Sequence, residues 1–431
     1  MDAESFKKPT RSATGLRVIG GMGTMTEKGS NHQLLKRKNL SLLMKYIYLN
    51  SPISRVELAQ ALALTTPAIT GLIAPLLAHG LLQETCVQSS DSKGAGRPRV
   101  MLEYAPTVFY SLGVDVSPYH IHYVLTDFQG NTVAVRRSTQ VLDVYERTLA
   151  LLAREIPAFL AESGVPAQRL LGVGICLPGL IDGSADKIYT TFRDGWTEHN
   201  LCAELGGILG VRVEVENNVR ARAICAELFD RAVQSQPCAY FFVSYGVSCQ
   251  LIMDGRVLYG QKAAAGEIGH TVMQRNGPMC PTCGNRGCLE ALAGERAVLQ
   301  RCREGMQRGG ALWRLSGGPD SLTIPHVLQA QQENDPVAES VMEDAIEYLG
   351  IALANTINLV SPRSVLLDGR ILSTEHNQGL LLRCVERNMF RVHKNETTFR
   401  FLPYDPDQGA RAAAAVVIGA YLQNAGEGSL A

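Results

Sequence analysis

The chain is predicted to be an α/β protein with a small helical module at its N-terminus and a larger, duplicated body. Hydrophobic residues recur at helical spacing between residues 39 and 78. From residue 109 onward, apolar runs of strand length alternate with helical segments. A comparable series begins again at residue 239, which predicts two similar lobes with a cleft between them.

Composition indicates a soluble globular protein of two or three domains. The chain has 431 residues, of which 46% are apolar and 19% charged. It contains no run of about 18 apolar residues, the length that a membrane span requires. Its first residues lack the apolar core of a signal peptide. We therefore expect a cytoplasmic protein with no membrane partner.

Charge is unevenly distributed along the chain although the formal net charge is zero. Residues 1–104 carry 13 Lys and Arg against 7 Asp and Glu, whereas the remainder carries 28 against 34. A basic module on an acidic body suits nucleic-acid binding at one end, although chance variation of the surface would give a similar imbalance.

The N-terminal region is predicted to contain a disordered arm over residues 1–30 and a winged helix-turn-helix over residues 31–105. A capping box that begins at Ser54 opens the second of three short helices, and Thr65 or Thr66 caps the third. Alternating apolar residues up to Tyr104 then predict a two-stranded wing. A helical dimerisation or packing module is the alternative for this region.

The start of the third helix offers hydroxyl and methyl groups for contacts to DNA bases, and basic residues nearby can contact phosphates. At the wing tip Arg97 lies between glycine and proline. An arginine held extended in this way can enter a narrow minor groove. Pro75 inside the third helix predicts a kink or an early end. The candidate DNA-binding residues are Arg55, Thr65, Thr66, Ala68, Thr70, Arg97 and Arg99.

Three of the eleven cysteines cluster near a histidine in the pattern H-x9-C-x2-C-x4-C, formed by His270, Cys280, Cys283 and Cys288. Three thiolates and one imidazole suit tetrahedral Zn²⁺, and a reducing compartment disfavours disulfides. All four ligands come from protein, so the spacing predicts a structural zinc rather than a catalytic one. Free cysteines beside an unrelated histidine are the alternative.

Gly266–His270 followed by Cys280–Glu290 (CPTCGNRGCLE) resembles the signature of the ROK family, which comprises repressors, open reading frames and sugar kinases. Glu216-Asn217-Asn218 falls where that family has Glu-Asn-Asp. The segment Leu40–Pro98 is similar to the DNA-binding module of the family's xylose- and N-acetylglucosamine-type repressors. The resemblance covers roughly residues 33–425.

This resemblance implies a winged helix-turn-helix followed by a two-lobed actin-like (ribonuclease-H-like) sugar-kinase fold. The first lobe would span residues 107–230. The second would span residues 231–425, including the zinc loop and a closing helix near residues 410–425 that returns to the first lobe. The resemblance also assigns sugar hydroxyl contacts to Asn217, Asn218, Glu267, His270 and Glu290, with His270 holding zinc as well.

Departures from the family's kinase pattern predict that the protein is not an enzyme. The catalytic Asp is replaced by Asn218, whose amide cannot take a proton from a sugar hydroxyl. The glycines of the first phosphate loop are replaced by bulky residues that include Tyr119, and only Gly246 remains in the second.

We therefore expect a repressor that binds operator DNA as a homodimer or tetramer and responds to a sugar or sugar phosphate in the cleft. Two alternatives stay open. One is an active sugar kinase with an added DNA-binding domain. The other is a DNA-binding protein whose body is a dimerisation platform or is controlled by a protein partner.

Overall fold

The protein is described here by a computed structural model over residues 30–87, 99–140, 144–183, 186–191, 195–234 and 236–424. The predicted arm, apart from Ser30, and the wing-tip residue Arg97 lie outside these ranges.

The N-terminal module contains three helices and a three-stranded antiparallel sheet, in the order α1 (Ser30–Asn50), β1 (Ile53–Ser54), α2 (Arg55–Ala61), α3 (Thr66–Ala78), β2 (Leu82–Val87) and β3 (Arg99–Tyr104). The predicted capping box is present, because Ser54 N donates to Glu57 Oε2 at 2.9 Å and Glu57 N donates to Ser54 Oγ at 3.3 Å. The α2 and α3 axes are bent by 118° at the turn between them, within the range of helix-turn-helix motifs. β3 pairs with both β1 and β2, so this sheet has one strand more than the two-stranded wing that was predicted.

Helix α3 continues past Pro75 to Ala78, so the early end, one of the two outcomes predicted for Pro75, is wrong. Proline removes only one backbone hydrogen bond, and the residue after it, Leu76, is fully buried in the core of the module. Tertiary packing therefore holds the last turn, as it does in most protein helices.

No single helix in the part of the chain that the structure describes is long and apolar enough to cross a membrane. Helices α2 and α3 reach the length and apolar composition of a membrane span only when they are counted together, and they are bent by 118° at the break between them.

The first lobe is built on a five-stranded sheet of order β10-β7-β4-β5-β6. β4, β5 and β6 form an antiparallel meander, and β7 and β10 add in parallel beside β4. The strands are β4 (Tyr110–Val116), β5 (Ile121–Asp127), β6 (Thr132–Ser138), β7 (Leu170–Leu177) and β10 (Val213–Asn217), with a separate hairpin of β8 (Gly179–Asp182) and β9 (Lys187–Thr191). The helices are α4 (Tyr145–Ser163), α5 (Leu201–Leu209), α6 (Asn218–Phe229) and α7 (Arg231–Gln234).

The second lobe repeats this topology in a sheet of order β13-β12-β11-β14-β15. Its antiparallel strands are β11 (Cys238–Val243), β12 (Val247–Met253) and β13 (Arg256–Val257), and its parallel additions are β14 (Ser364–Asp368) and β15 (Thr398–Phe401). Its helices are α8 (Leu289–Ala293), α9 (Glu295–Gly305), α10 (Ala311–Ser316), α11 (Ile324–Gln332), α12 (Pro336–Val360) and α13 (Glu375–Asn388). The matching strand order confirms the predicted duplicated α/β body.

The closing helix α14 (Gln408–Asn424) packs on the sheet of the first lobe. A β-carbon at Gly113 on β4 would collide with the Ala410 carbonyl, and one at Gly174 on β7 would collide with the Ala413 carbonyl. Glycine on the strands and alanine on the helix thus allow an unusually close approach between their backbones.

Candidate functional site

The predicted metal ligands come together in the second lobe, where Cys280 and Cys288 are buried and Cys283 is exposed. One ligand atom from each of His270, Cys280, Cys283 and Cys288 lies within 4.8 Å of the other three. Cys280 Sγ is 3.7 Å from His270 Nδ1, and the sulfurs of Cys283 and Cys288 are 3.6 Å apart. Tetrahedral zinc with bonds of about 2.3 Å to sulfur places two sulfurs about 3.8 Å apart. The donor set and its spacing therefore fit zinc.

The loop that carries the cysteines depends on glycine at one close approach. Gly287 has φ of +74°, and a β-carbon there would collide with the Gln274 carbonyl. Burial, reinforced by a hydrogen bond with Cys283, raises the pKa of the Cys288 thiol to about 12. A metal bound by Cys288 would have to displace this proton, so binding through the thiolate would strengthen as pH rises.

Glu267 and Glu290, which were predicted to hydrogen-bond sugar hydroxyls, lie beside this His–Cys cluster. Glu290, on α8, accepts a hydrogen bond from Thr282 Oγ1, and its Oε1 is 3.9 Å from Cys280 Sγ. A β-carbon at Gly246 would collide with Glu290 Oε2, so the glycine between β11 and β12 makes room for this carboxylate. Glu290 and the predicted metal ligand His270 thus belong to one connected site.

Glu267 offers the most available acceptor of the site. It is half-buried, and among the described residues no hydrogen bond to its carboxylate is found. Burial raises its pKa, while the nearby His270 and Arg220 counter that effect. A half-buried carboxylate without a protein partner is suited to accept hydrogen bonds from a polyol.

Asn217 is already engaged by protein groups. Its Oδ1 accepts from the backbone N–H groups of Val219 at 2.9 Å and Arg220 at 3.0 Å, which caps α6. Its Nδ2 donates to the Gly179 carbonyl at 2.7 Å. A primary amide has two N–H donors, so one remains for a ligand. Asn218, the first residue of α6, is half-buried.

A buried ion pair next to Asn217 was not anticipated from the sequence. Arg220, fully buried, donates to Glu216 Oε1 at 2.6 Å, to the Ile181 carbonyl at 2.8 Å and to the Ala263 carbonyl of the second lobe at 2.6 Å. Tyr259 of the second lobe donates to Glu216 Oε2 at 2.9 Å. These contacts join the two lobes on the side of the candidate sugar residues. The i, i+4 spacing of Glu216 and Arg220 was the available signal.

The turn between β4 and β5, which by resemblance was predicted to correspond to the first phosphate loop of the family's kinases, lies among aromatic rings and buried ion pairs. Burial alone would raise the pKa of Asp115, but His120 and Arg222 hold that pKa below its ordinary value. Ser117 Oγ accepts from the backbone of Tyr119 and His120, which fixes the turn between β4 and β5. Tyr119 then reaches the second lobe, and its ring contacts that of Tyr245.

The structure describes the side chains of five candidate DNA-binding residues, four at the start of α3 and one at the start of α2. Thr65, Thr66, Ala68 and Thr70 are exposed at the start of α3. Thr65 caps that helix by accepting from Ala68 N at 3.4 Å, and Thr70 Oγ1 donates to the Thr66 carbonyl at 2.9 Å. Arg55, at the start of α2, forms an ion pair with Glu84 of β2. Arg99 begins β3, and Arg97 lies outside the described residues.

Fold and site define a duplicated α/β body of the sugar-kinase type, preceded by a module of DNA-binding type. The chain belongs to the ROK family, whose model matches residues 111–420.

Relatives of the chain include two bacterial regulators. The chain is 29% identical over 345 residues to the xylose repressor of Bacillus subtilis strain 168, covering 80% of this chain and 85% of that one. It is 26% identical over 351 residues to the DNA-binding transcriptional dual regulator NagC of Escherichia coli K12, covering 81% and 84%. These matches confirm the predicted likeness to xylose- and N-acetylglucosamine-type repressors.

Solved structures of both repressors and kinases share the fold. A ROK family transcriptional regulator described as a homologue of Escherichia coli Mlc superposes with a TM-score of 0.76 at 26% identity, covering 90% of this chain and 97% of that one. The ROK hexokinase of Thermus thermophilus superposes with a TM-score of 0.56 at 25% identity, covering 71% and 97%. The regulator therefore matches more of the chain than the kinase does.

Proposed function

We propose that the protein is a cytoplasmic transcriptional repressor of carbohydrate-utilisation genes, controlled by a sugar or sugar phosphate bound in the cleft. One observation carries the proposal. The Glu267 carboxylate is half-buried, has no hydrogen-bond partner among the described residues, and lies beside the His–Cys cluster. The body that contains this carboxylate is joined to a helix-turn-helix. The xylose and N-acetylglucosamine repressors among its relatives support the same assignment.

The sugar would be held from both lobes. Glu267, His270 and Glu290 of the second lobe would accept or donate hydrogen bonds to its hydroxyls. Asn217 and Asn218 would contact it from the first lobe, Asn217 through its remaining N–H. Zn²⁺ held by His270, Cys280, Cys283 and Cys288 would have a structural role, because it would fix the imidazole and the loop next to the pocket.

Phosphoryl transfer is not expected from this cleft. An amide at Asn218 cannot serve as the general base, and the Tyr119–Tyr245 contact lies where phosphate loops must approach closely. We infer that the ligand is sensed rather than phosphorylated. This argues against the active-kinase alternative, although kinases share the fold.

DNA would be bound by the N-terminal module of a homodimer or tetramer, with each module placed on one half of a nearly palindromic operator. The exposed start of α3, with Thr65, Thr66, Ala68 and Thr70, would enter the major groove. Arg97 and Arg99 of the wing would reach the adjacent minor groove, and Arg55 would contact phosphate.

Isothermal titration calorimetry with a panel of hexoses, pentoses, N-acetyl sugars and their phosphates tests the sensing site, with ATP as a separate titrant. We expect one sugar to bind the wild-type protein, to bind at least about tenfold more weakly to Glu267→Ala, and to remain unphosphorylated with ATP. Glu304→Ala on the exposed face of α9 is the matched control and should bind normally. Absence of binding by every sugar, with zinc bound and the fold intact, would refute sugar control.

A further inference from the structure

Helix α6 connects the candidate sugar site to the DNA-binding module. Its N-cap is Asn217, which also bonds to the Gly179 carbonyl in the cleft. Twelve helical residues rise about 18 Å, so the opposite end of α6 lies far from the cleft. That end meets helix α1 of the N-terminal module.

Three contacts join the far end of α6 and the following α7 to the module. Glu227 Oε1 forms an ion pair with Lys45 Nζ of α1 at 2.8 Å, and the Glu227 side chain is only 9% exposed. The Phe229 ring lies 6.2 Å from that of Tyr48 on α1. Arg231 donates to the Ser51 carbonyl at 3.2 Å. A partly buried ion pair is more restrictive than an exposed one, because separation of the charges leaves Glu227 without its partner.

The helix is packed so that it would move as a unit. Eight of its twelve residues are buried, and Ala221, Cys225 and Leu228 share one hydrophobic cluster with buried residues of α1 and α14. Helix α14 also contacts α1 directly, because Ser41 Oγ donates to the Leu422 carbonyl at 2.9 Å. Displacement of α6 would therefore shift α1 in two ways, by direct packing and through α14.

The cleft end of α6 is in turn attached to the second lobe. Arg220 donates to the Ala263 carbonyl, and its guanidinium lies 4.7 Å from the centre of the Tyr259 ring. Tyr259 also bonds to Glu216, immediately before the helix. A change in the relative placement of the lobes must either move α6 or break these buried contacts.

We propose that α6 transmits the state of the sugar site to the DNA-binding module, with the Glu227–Lys45 ion pair as its main contact with α1. This inference rests on the proposed function, because it concerns regulation of that same site. Its test needs neither sugar nor DNA, so its failure is distinguishable from a failure of the proposed function.

Hydrogen exchange measured by mass spectrometry on the full chain provides the test. Asn217→Ala removes the cap of α6 and should accelerate exchange in its first turn and in the α1 peptides over residues 41–50 by about fivefold, as loss of an N-cap predicts. In a Lys45→Gln background, the same substitution should still accelerate the first turn of α6 but should accelerate the α1 peptides less than it does in the wild-type background.

Asn200→Ala is the matched control, since Asn200 caps α5 in the same lobe by accepting from Ala203 N at 2.9 Å. It should accelerate exchange in α5 without affecting α1. If Asn217→Ala does not fold, Asn217→Asp takes its place. It keeps the cap acceptor and loses only the donor to Gly179, so the α1 peptides should exchange faster without acceleration by loss of the cap, and less so in the Lys45→Gln background. The proposal is overturned if α1 exchange does not respond to the change at Asn217, responds equally to Asn200→Ala, or responds undiminished in the Lys45→Gln background.

Discussion

Tyr119 of the first lobe and Tyr245 of the second meet edge to face, with ring centroids 5.9 Å apart. Arg296 donates to the Tyr245 hydroxyl at 2.8 Å and fixes the second ring in place. This contact links the two lobes directly. It joins the two turns that, by resemblance to the family's kinases, were predicted to correspond to the phosphate loops.

Introducing the carboxylate that the family's kinase pattern has at position 218 should not confer kinase activity. In Asn218→Asp the general base is present, but Tyr119 and Tyr245 still obstruct the approach of phosphates. We expect no ATP-dependent phosphorylation of any sugar by wild type or variant, measured by release of ADP. The ROK hexokinase of Thermus thermophilus is the positive control for the assay. Turnover by Asn218→Asp alone would show that the aromatic pair does not block the phosphate site.

The buried Glu295 should make stability depend on pH. Burial raises its pKa to about 7 from an ordinary value of 4.5, with Arg370 countering part of the effect. The folded protein therefore holds this proton more tightly than the unfolded chain, and stability is lost as pH rises from about 4.5 to about 7. The penalty above pH 7 is at most about 3 kcal/mol.

Glu295→Gln should remove this penalty. In urea unfolding, the variant should match wild type near pH 4.5 and exceed its stability at pH 8 by about 1–3 kcal/mol. Glu304→Gln, exposed on the same helix, should show no such pH-dependent difference. A Glu295→Gln variant less stable than wild type at pH 8 would show that the charged form is stabilised in the fold.

The Glu216–Arg220 pair should contribute to stability mainly because removal of either partner leaves the other charge buried without a counter-charge. Arg220→Met leaves Glu216 buried with only Tyr259 as a side-chain partner, and should cost about 3–5 kcal/mol in urea unfolding. Adding Glu216→Gln should recover part of that loss. Arg314→Met, which breaks the exposed pair with Glu333, should cost less than about 1 kcal/mol. Equal costs at the two positions would contradict the assigned role of the buried pair.

The protein should bind one zinc ion per chain through the His–Cys cluster. We expect Cys288→Ser to lose the metal, as measured by atomic emission, and to unfold at a lower temperature, because metal binding contributes to folding. Cys202→Ser, outside the cluster, should keep the full zinc content. Retention of zinc by Cys288→Ser would show that this sulfur is not a ligand.

The sequence was most informative where local chemistry determines structure. The capping box at Ser54, the His–Cys spacing and the repeated strand series each predicted features that the structure contains. The strand β1 of the N-terminal sheet was missed because it has only two residues and no period to detect. The end of α3 was misjudged because the burial of Leu76, a tertiary effect, outweighs the local preference of Pro75.

Contacts between distant segments could not be predicted from the sequence. Lys45 and Glu227 are 182 positions apart, and Tyr119 and Tyr245 are 126 apart; only the fold brings each pair together. For Asn217 the motif predicted a sugar contact, whereas the structure shows that most of its hydrogen-bonding capacity serves α6 and Gly179. The sugar contact of Asn217 stays a prediction, for which the structure leaves one N–H of the amide.

The most direct test of the account is the effect of sugar on DNA affinity. Duplexes that the protein retains from a genomic fragment library would be labelled and titrated by fluorescence anisotropy, with and without the sugar found by calorimetry. We predict a change in DNA affinity of about 5- to 150-fold in wild type and none in Glu267→Ala, which should still bind the duplex without sugar. DNA binding that is tight in both proteins and unaffected by every sugar tested would contradict the account.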